Sequence, residues 1–183
     1  MTANKEIETL KGKISSGDWD VMTAATNRLF EIGGQENISY LIGLLDDSNS
    51  KVRNAAALTF RENRYNEALE PLLTSINKKE NKGYTGTMVY ALESLDCKSK
   101  LKELFNILFD KNSYEVQYHI LTILDEQIFE FTNADLQEIK TKWDELKCDW
   151  NRLNNLDKAN QKDYDIDDTL IQSYVDGFVS YME

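Results

Sequence analysis

Residues 46–60, DDSNSKVRNAAALTF, decide the fold. Asp46 to Ser50 are small and polar, the composition of a turn, and Ser50 stands where an N-cap would accept a backbone N–H of a following helix. From Val52 onward the apolar positions fall four apart, at Val52, Ala56 and Phe60, with Thr59 beside them. That spacing puts them on one face of a helix. Downstream, Leu69, Leu72, Leu73 and Ile76 repeat the 3.6-residue pattern, so this part of the chain reads as a pair of amphipathic helices joined by a polar turn.

Moving outward, the pattern recurs at a fixed period. Val21, Val52, Tyr84 and Val116 form one column, spaced 31, 32 and 32 residues. Ala25, Ala56, Met88 and Ile120 form a second, Leu29, Phe60, Leu92 and Leu124 a third, and Leu41, Leu72, Leu104 and Leu136 a fourth. Self-similarity at this period marks an array of supersecondary units, each needing its neighbours to bury its apolar face. Polar turns punctuate the array at 46–50, 77–83 (NKKENKG) and 110–113 (DKNS), with Ser113 in a second N-cap position. The spacing predicts helices over 4–15, 18–32, 36–46, 51–63, 66–78, 84–95, 98–110, 114–130, 133–155 and 167–182.

The segment in which Asp46 and Asp47 end one helix and Val52-Arg53-x-x-Ala56 opens the next resembles the core signature of HEAT and HEAT-like bacterial repeats. The resemblance covers roughly residues 18–130. It implies an all-α fold, an α-α superhelix of about four helix pairs, in which Val52 and Ala56 pack inward and Arg53 reaches an aspartate on a neighbouring turn. The expected organisation is one repeat domain over 1–155, closed by a long capping helix at 133–155, with residues 156–183 forming an acidic connector and a last helix docked on the same domain.

The C-terminal third leaves the period. Leu136, Ile139, Trp143, Leu146, Trp150 and Leu153 alternate three and four apart, a single stripe suited to closing the end of an array or, as the alternative, to forming a groove for a partner helix. Residues 155–166 read as a polar connector, and DTLIQSYVDGFVSYME, apolar almost all round, reads as a helix that must dock.

Composition bounds the class. The 183 residues are 41% hydrophobic, with 3 Trp, 9 Tyr and 7 Phe, enough for a core despite a net charge of −11. One proline and eight glycines are too few for the turns of a sandwich or barrel. The first residues lack the apolar core of a signal peptide, and no stretch approaches the roughly 18 apolar residues of a membrane span, so a cytoplasmic protein without membrane contact is expected. Cys97 and Cys148 fit no disulfide framework or metal-ligand spacing. With 32 acidic against 21 basic side chains, the field repels phosphate backbones and favours a cationic partner.

Residues that could carry chemistry are sparse. His119 is the single histidine, which rules out a two-histidine metal site and is read as a surface or packing residue. No phosphate-binding glycine loop occurs, and Gly33-Gly34 reads as a helix end. Asp163, Asp165, Asp167 and Asp168 open like a calcium loop, but Asp168 occupies the glycine position and Tyr174 the closing glutamate position. Asp167 and Asp168 are therefore read as capping the last helix. The expectation is no catalytic, cofactor or metal site.

A binding surface is easier to place. The outward positions of the second helices give Thr23, Asn54, Gly86 and Tyr118 in one row, Phe30, Arg61, Glu93 and Asp125 in another, and Asn27, Leu58, Tyr90 and Thr122 in a third. Of these, Asn27, Asn54, Leu58, Arg61, Tyr90, Glu93, Tyr118, Thr122 and Asp125 are the candidate partner-binding residues, a mix of aromatic and charged side chains typical of interface anchors. The competing site is the acidic tail from Asp157 to Glu183. The expected function is a non-enzymatic protein-binding module, and more specifically a small acidic bacterial immunity or inhibitor protein neutralising a basic toxin or effector. A monomer without nucleic acid is expected. The alternatives are a general scaffold or adaptor, or an enzyme, for which HEAT-like DNA glycosylases and phycobilin lyases are the analogies.

Overall fold

The computed structural model describes residues 3–110, 113–157 and 166–182, the side chains of residue 3 and of 148–157 excepted. Among the described residues there are ten α-helices, three short 3-10 turns and no strand, so the fold is all-α. None of the described helices is long and apolar enough to cross a membrane. Backbone contacts divide the chain into two compact units, Met1–Asp96 and Cys97–Glu183, a division that falls inside the span read from sequence as one repeat domain.

The first unit contains α1 (Ala3–Ile14), α2 (Trp19–Ile32), α3 (Gln35–Gly43), α4 (Ser50–Glu62), α5 (Leu69–Ile76) and α6 (Gly86–Leu92). Helix α2 packs on α1 and α4, and α4 in turn on α6. The core is built from the in-phase columns: Ala25, Ala56, Met88, Leu29, Phe60, Leu92, Leu41 and Leu72 are all at most 1% exposed. Polar contacts recur at about one period. The Thr59 hydroxyl donates to that of Thr26 at 2.9 Å, and the Ser75 hydroxyl donates to the Leu45 carbonyl at 2.6 Å. Asn81 supplies its amide to Ser75 at 2.8 and 3.0 Å, so this buried group is satisfied.

The column headed by Val21 is corrected. Val52 and Val116 are buried, but Val21 is 36% and Tyr84 65% exposed. Val21 lies in the first turn of α2, whose inward face runs through Met22, Ala25, Thr26 and Leu29. Tyr84 precedes α6 altogether, after a turn in which Gly83 adopts φ +84°, so Thr85 rather than Tyr84 enters the interior. Helix α4 buries a wider face, including Ala55 and Ala57, because it has α2 on one flank and α6 on the other. Gly86, read as an outward position, is buried at the start of α6.

Arg53 is also corrected. It is buried, and its Nη1 donates to the backbone carbonyls of Asp47 at 2.7 Å and Ser48 at 3.2 Å rather than to an aspartate carboxylate. It thereby ties the turn to the helix it precedes. The N-cap of α4 is Asn49, whose side chain accepts the Lys51 N–H at 3.0 Å, one residue before the Ser50 expected from sequence.

The second unit contains α7 (Leu101–Phe109), α8 (Tyr114–Glu126), α9 (Asn133–Asp157) and α10 (Asp168–Val179). Helix α7 packs on α8 and α9, and α10 packs on α9. Leu136, Ile139 and Trp143 of the α9 stripe are buried; Trp143 stacks on Phe109 at 5.3 Å, and its indole N–H donates to Gln172 at 2.7 Å. From α10, Ile171 and Val175 are buried. The side chains of Cys148, Trp150 and Leu153, and residues 158–165 with Asp163 and Asp165, lie outside the described residues. Cys97 is buried. Ser113 caps α8 by accepting the Val116 N–H, and Asp167 caps α10 by accepting the N–H groups of Thr169 and Leu170, both at 2.9 Å.

Candidate functional site

In the first unit, α2, α4 and α6 bring Asn27, Asn54, Leu58, Arg61, Tyr90 and Glu93 to half-buried positions. The Arg61 guanidinium lies 3.8 Å over the Tyr90 ring and 3.7 Å from the Glu93 carboxylate. Glu93 is only 14% exposed at its side chain, so this charge is engaged within the unit rather than projecting outward. Asn27 donates to Glu62 at 2.8 Å, linking α2 to α4. Beside them Phe30, Phe60 and Tyr65 form an aromatic cluster with centroids 5.3 to 6.3 Å apart. The expectation of an open charged face is therefore modified. Cation–π and ionic contacts hold Arg61, Tyr90 and Glu93 against each other.

In the second unit, α8 carries Tyr118, Thr122 and Asp125. Tyr118 is 51% exposed and stacks on Tyr114, itself 43% exposed, with centroids 6.1 Å apart. His119 meets the Tyr118 ring edge-on at 5.5 Å. The Thr122 hydroxyl donates to the Tyr118 carbonyl at 3.0 Å within its own helix, so its proton is engaged locally. Asp125 accepts the Tyr174 hydroxyl of α10 at 2.8 Å. Burial and this carboxylate together push the Tyr174 phenol up to about 12. Tyr114 was missed in the sequence, although its spacing of four from Tyr118 at a helix start was available as a signal.

The second unit also holds a cleft that sequence reading did not find. The C-terminal turn of α8, the connection 127–131 and the outer part of α10 enclose about 560 Å³. Its shape follows from two tertiary hydrogen bonds. The Glu130 N–H donates to the Lys98 carbonyl at 2.8 Å, and the Gln127 side chain accepts the Cys97 N–H at 2.9 Å. These bonds end α8 at Glu126 instead of the expected residue 130, and the extended connection becomes one wall. Phe178 from α10 is met edge-on by Phe105, Phe129 and Phe131 at 5.5, 5.9 and 6.1 Å, which makes a fixed aromatic floor. At the rim, Ile128 is 91% and Tyr181 67% exposed. No family model, curated protein or solved structure matches the chain.

Proposed function

We propose that this chain is a HEAT-like helical-repeat module that works by binding a basic protein, in the way a small bacterial immunity or inhibitor protein neutralises a cationic toxin. The observation that carries the reading is the exposed Tyr114–Tyr118 stack on α8, in a chain whose net charge is −11. Large aromatics left in solvent at a helix surface serve as interface anchors, while an acidic field raises the encounter rate with a cationic partner. The side-by-side packing of α2, α4 and α6 within the first unit, with in-phase buried columns, supports the repeat reading.

Native co-purification with identification of the bound protein, followed by reconstitution from purified components, tests the proposal. A single basic partner whose activity is suppressed stoichiometrically supports it. Tyr118→Ala should then speed dissociation, whereas reversing the exposed charges Glu115 and Glu126 should slow association, an effect that shrinks as salt rises. A scaffold or an acidic protein as dominant partner overturns it. Tight DNA binding at low salt would move the assignment to a glycosylase-like enzyme.

A further inference from the structure

We infer that the aromatic cleft of the second unit is the seat of a cationic amphipathic segment of the partner, taking an apolar side chain over the Phe129–Phe131–Phe178 floor and a Lys or Arg head at Asp125. The inference rests on the reading of the chain as a binder of a basic protein, and adds a site to it.

The cleft is of a size suited to side-chain recognition and already formed, so a ligand entering it has little ordering to impose. Its floor is fixed by the edge-on rings around Phe178, and Tyr181 continues the aromatic surface at 5.9 Å from Phe131. Gly177 leaves the α10 wall open, since a Cβ there would meet nothing within 4 Å. The exposed Ile128 at the rim adds apolar area that a ligand would cover.

Charge selects the occupant. The wall segments 124–131 and 173–182 contain Asp125, Glu126, Glu130 and Asp176 and not one Lys or Arg. Glu130 has Lys98 at 3.6 Å in an exposed pair, and Asp176 accepts from Gln172 at 2.8 Å. Asp125 is exposed and receives the Tyr174 hydroxyl on one oxygen. A carboxylate accepts at both oxygens, so a cationic donor can join without displacing that bond. Aromatic faces beside it favour the same sign. An acidic peptide or a fatty carboxylate would meet Asp125, the charged residue of the lining, in a net acidic field, and a second copy of this chain would bring its own net charge of −11.

The test uses the full chain and fluorescein-labelled octapeptides alternating Leu with Arg, Leu with Glu, and Ser with Arg. Anisotropy gives the Kd of each, and amide shifts of nitrogen-15-labelled protein give the site. The expected result is binding of the Leu/Arg peptide at least about tenfold tighter than either control, with shifts centred on Asp125, Ile128, Gly177 and Tyr181. Gly177→Leu projects into the cleft and should weaken that binding by at least about tenfold while leaving a cooperative melt, because position 177 is exposed and a Cβ there meets nothing within 4 Å. Asp125→Asn should weaken it several-fold, the difference fading as salt rises. Equal affinity for the Leu/Arg and Leu/Glu peptides, or for the Leu/Arg and Ser/Arg peptides, would overturn the inference. So would an undiminished affinity in Gly177→Leu. The two readings fail separately: a basic partner released by Tyr118→Ala but indifferent to Gly177→Leu refutes the cleft alone, whereas a partner that is not basic refutes the proposed function.

Discussion

Phe60 stands fully buried between the ring of Phe30, edge-on at 6.3 Å, and that of Tyr65, stacked at 5.7 Å. Phe60→Ala should cost about 3–5 kcal/mol, because neighbours pinned by their own ring contacts cannot collapse into the space. Denaturant unfolding of the variant checks this; a loss below about 1 kcal/mol would mean that the site relaxes. Tyr174 makes a different prediction. Its folded value of about 12 lies above the ordinary 10, so the fold favours the neutral phenol. The corresponding stability is fully present below pH 10 and is lost as pH rises from 10 through about 12. Ultraviolet phenolate titration should show a late-ionising component that Tyr174→Phe reduces; burial raises Tyr40 as well, so part of it should persist. At this scale the inward positions of α4 were legible, because a 3.6-residue pattern reports which side faces the core. The atoms that Arg53 bonds were not: residue spacing brings it to the Asp47 turn but does not distinguish a carboxylate from a carbonyl.

Among the elements, the helices were legible and their ends less so. Periodicity marks the length of an apolar face, but capping decides where it stops. Asp18 caps α2 through the Val21 N–H at 3.0 Å, Asn49 caps α4, and Asp167 accepts two N–H groups at the start of α10. Asp167→Ala should therefore lower stability by about 1 kcal/mol, read as a shift in the denaturation midpoint of the second unit. An unchanged midpoint would mean that packing of Ile171 and Val175 holds α10 without its cap. Helix α6 is shorter than the 84–95 predicted, and α8 shorter than 114–130. The end of α8 depends on the Glu130 to Lys98 backbone bond, a contact between distant residues that no local pattern contains. The cleft was invisible for the same reason. Asp125 and Tyr174 are 49 residues apart in the chain, and the site exists only once α10 is docked.

For the molecule as a whole, that docking changes which experiments can locate the partner. Removing residues 157–183 looks like a way to separate the helical face from the acidic tail, but α10 buries Ile171 and Val175, holds the Trp143 indole through Gln172, and sets Phe178 against Phe105. Charge reversal at Glu93 or Asp125 is equally compromised, since it would break the contact with Arg61 or Tyr174. Point changes at Tyr118 and Gly177 leave those contacts in place and are the cleaner probes. The deletion remains informative about the division of the chain. Without α10, Trp143 loses its acceptor and the apolar faces of α7 and α9 gain solvent, a large-scale version of cavity formation. The first unit has its own core, built on Ala25, Ala56, Leu29 and Phe60 and tied by the Thr26–Thr59 and Ser75–Leu45 bonds. Amide exchange in the truncated protein should therefore accelerate throughout α7, α8 and α9, while α2 and α4 retain the protection they have in the full chain. Acceleration spread evenly over both units would show instead that the molecule opens as one cooperative body, and that the boundary at residues 96 and 97 has no energetic counterpart.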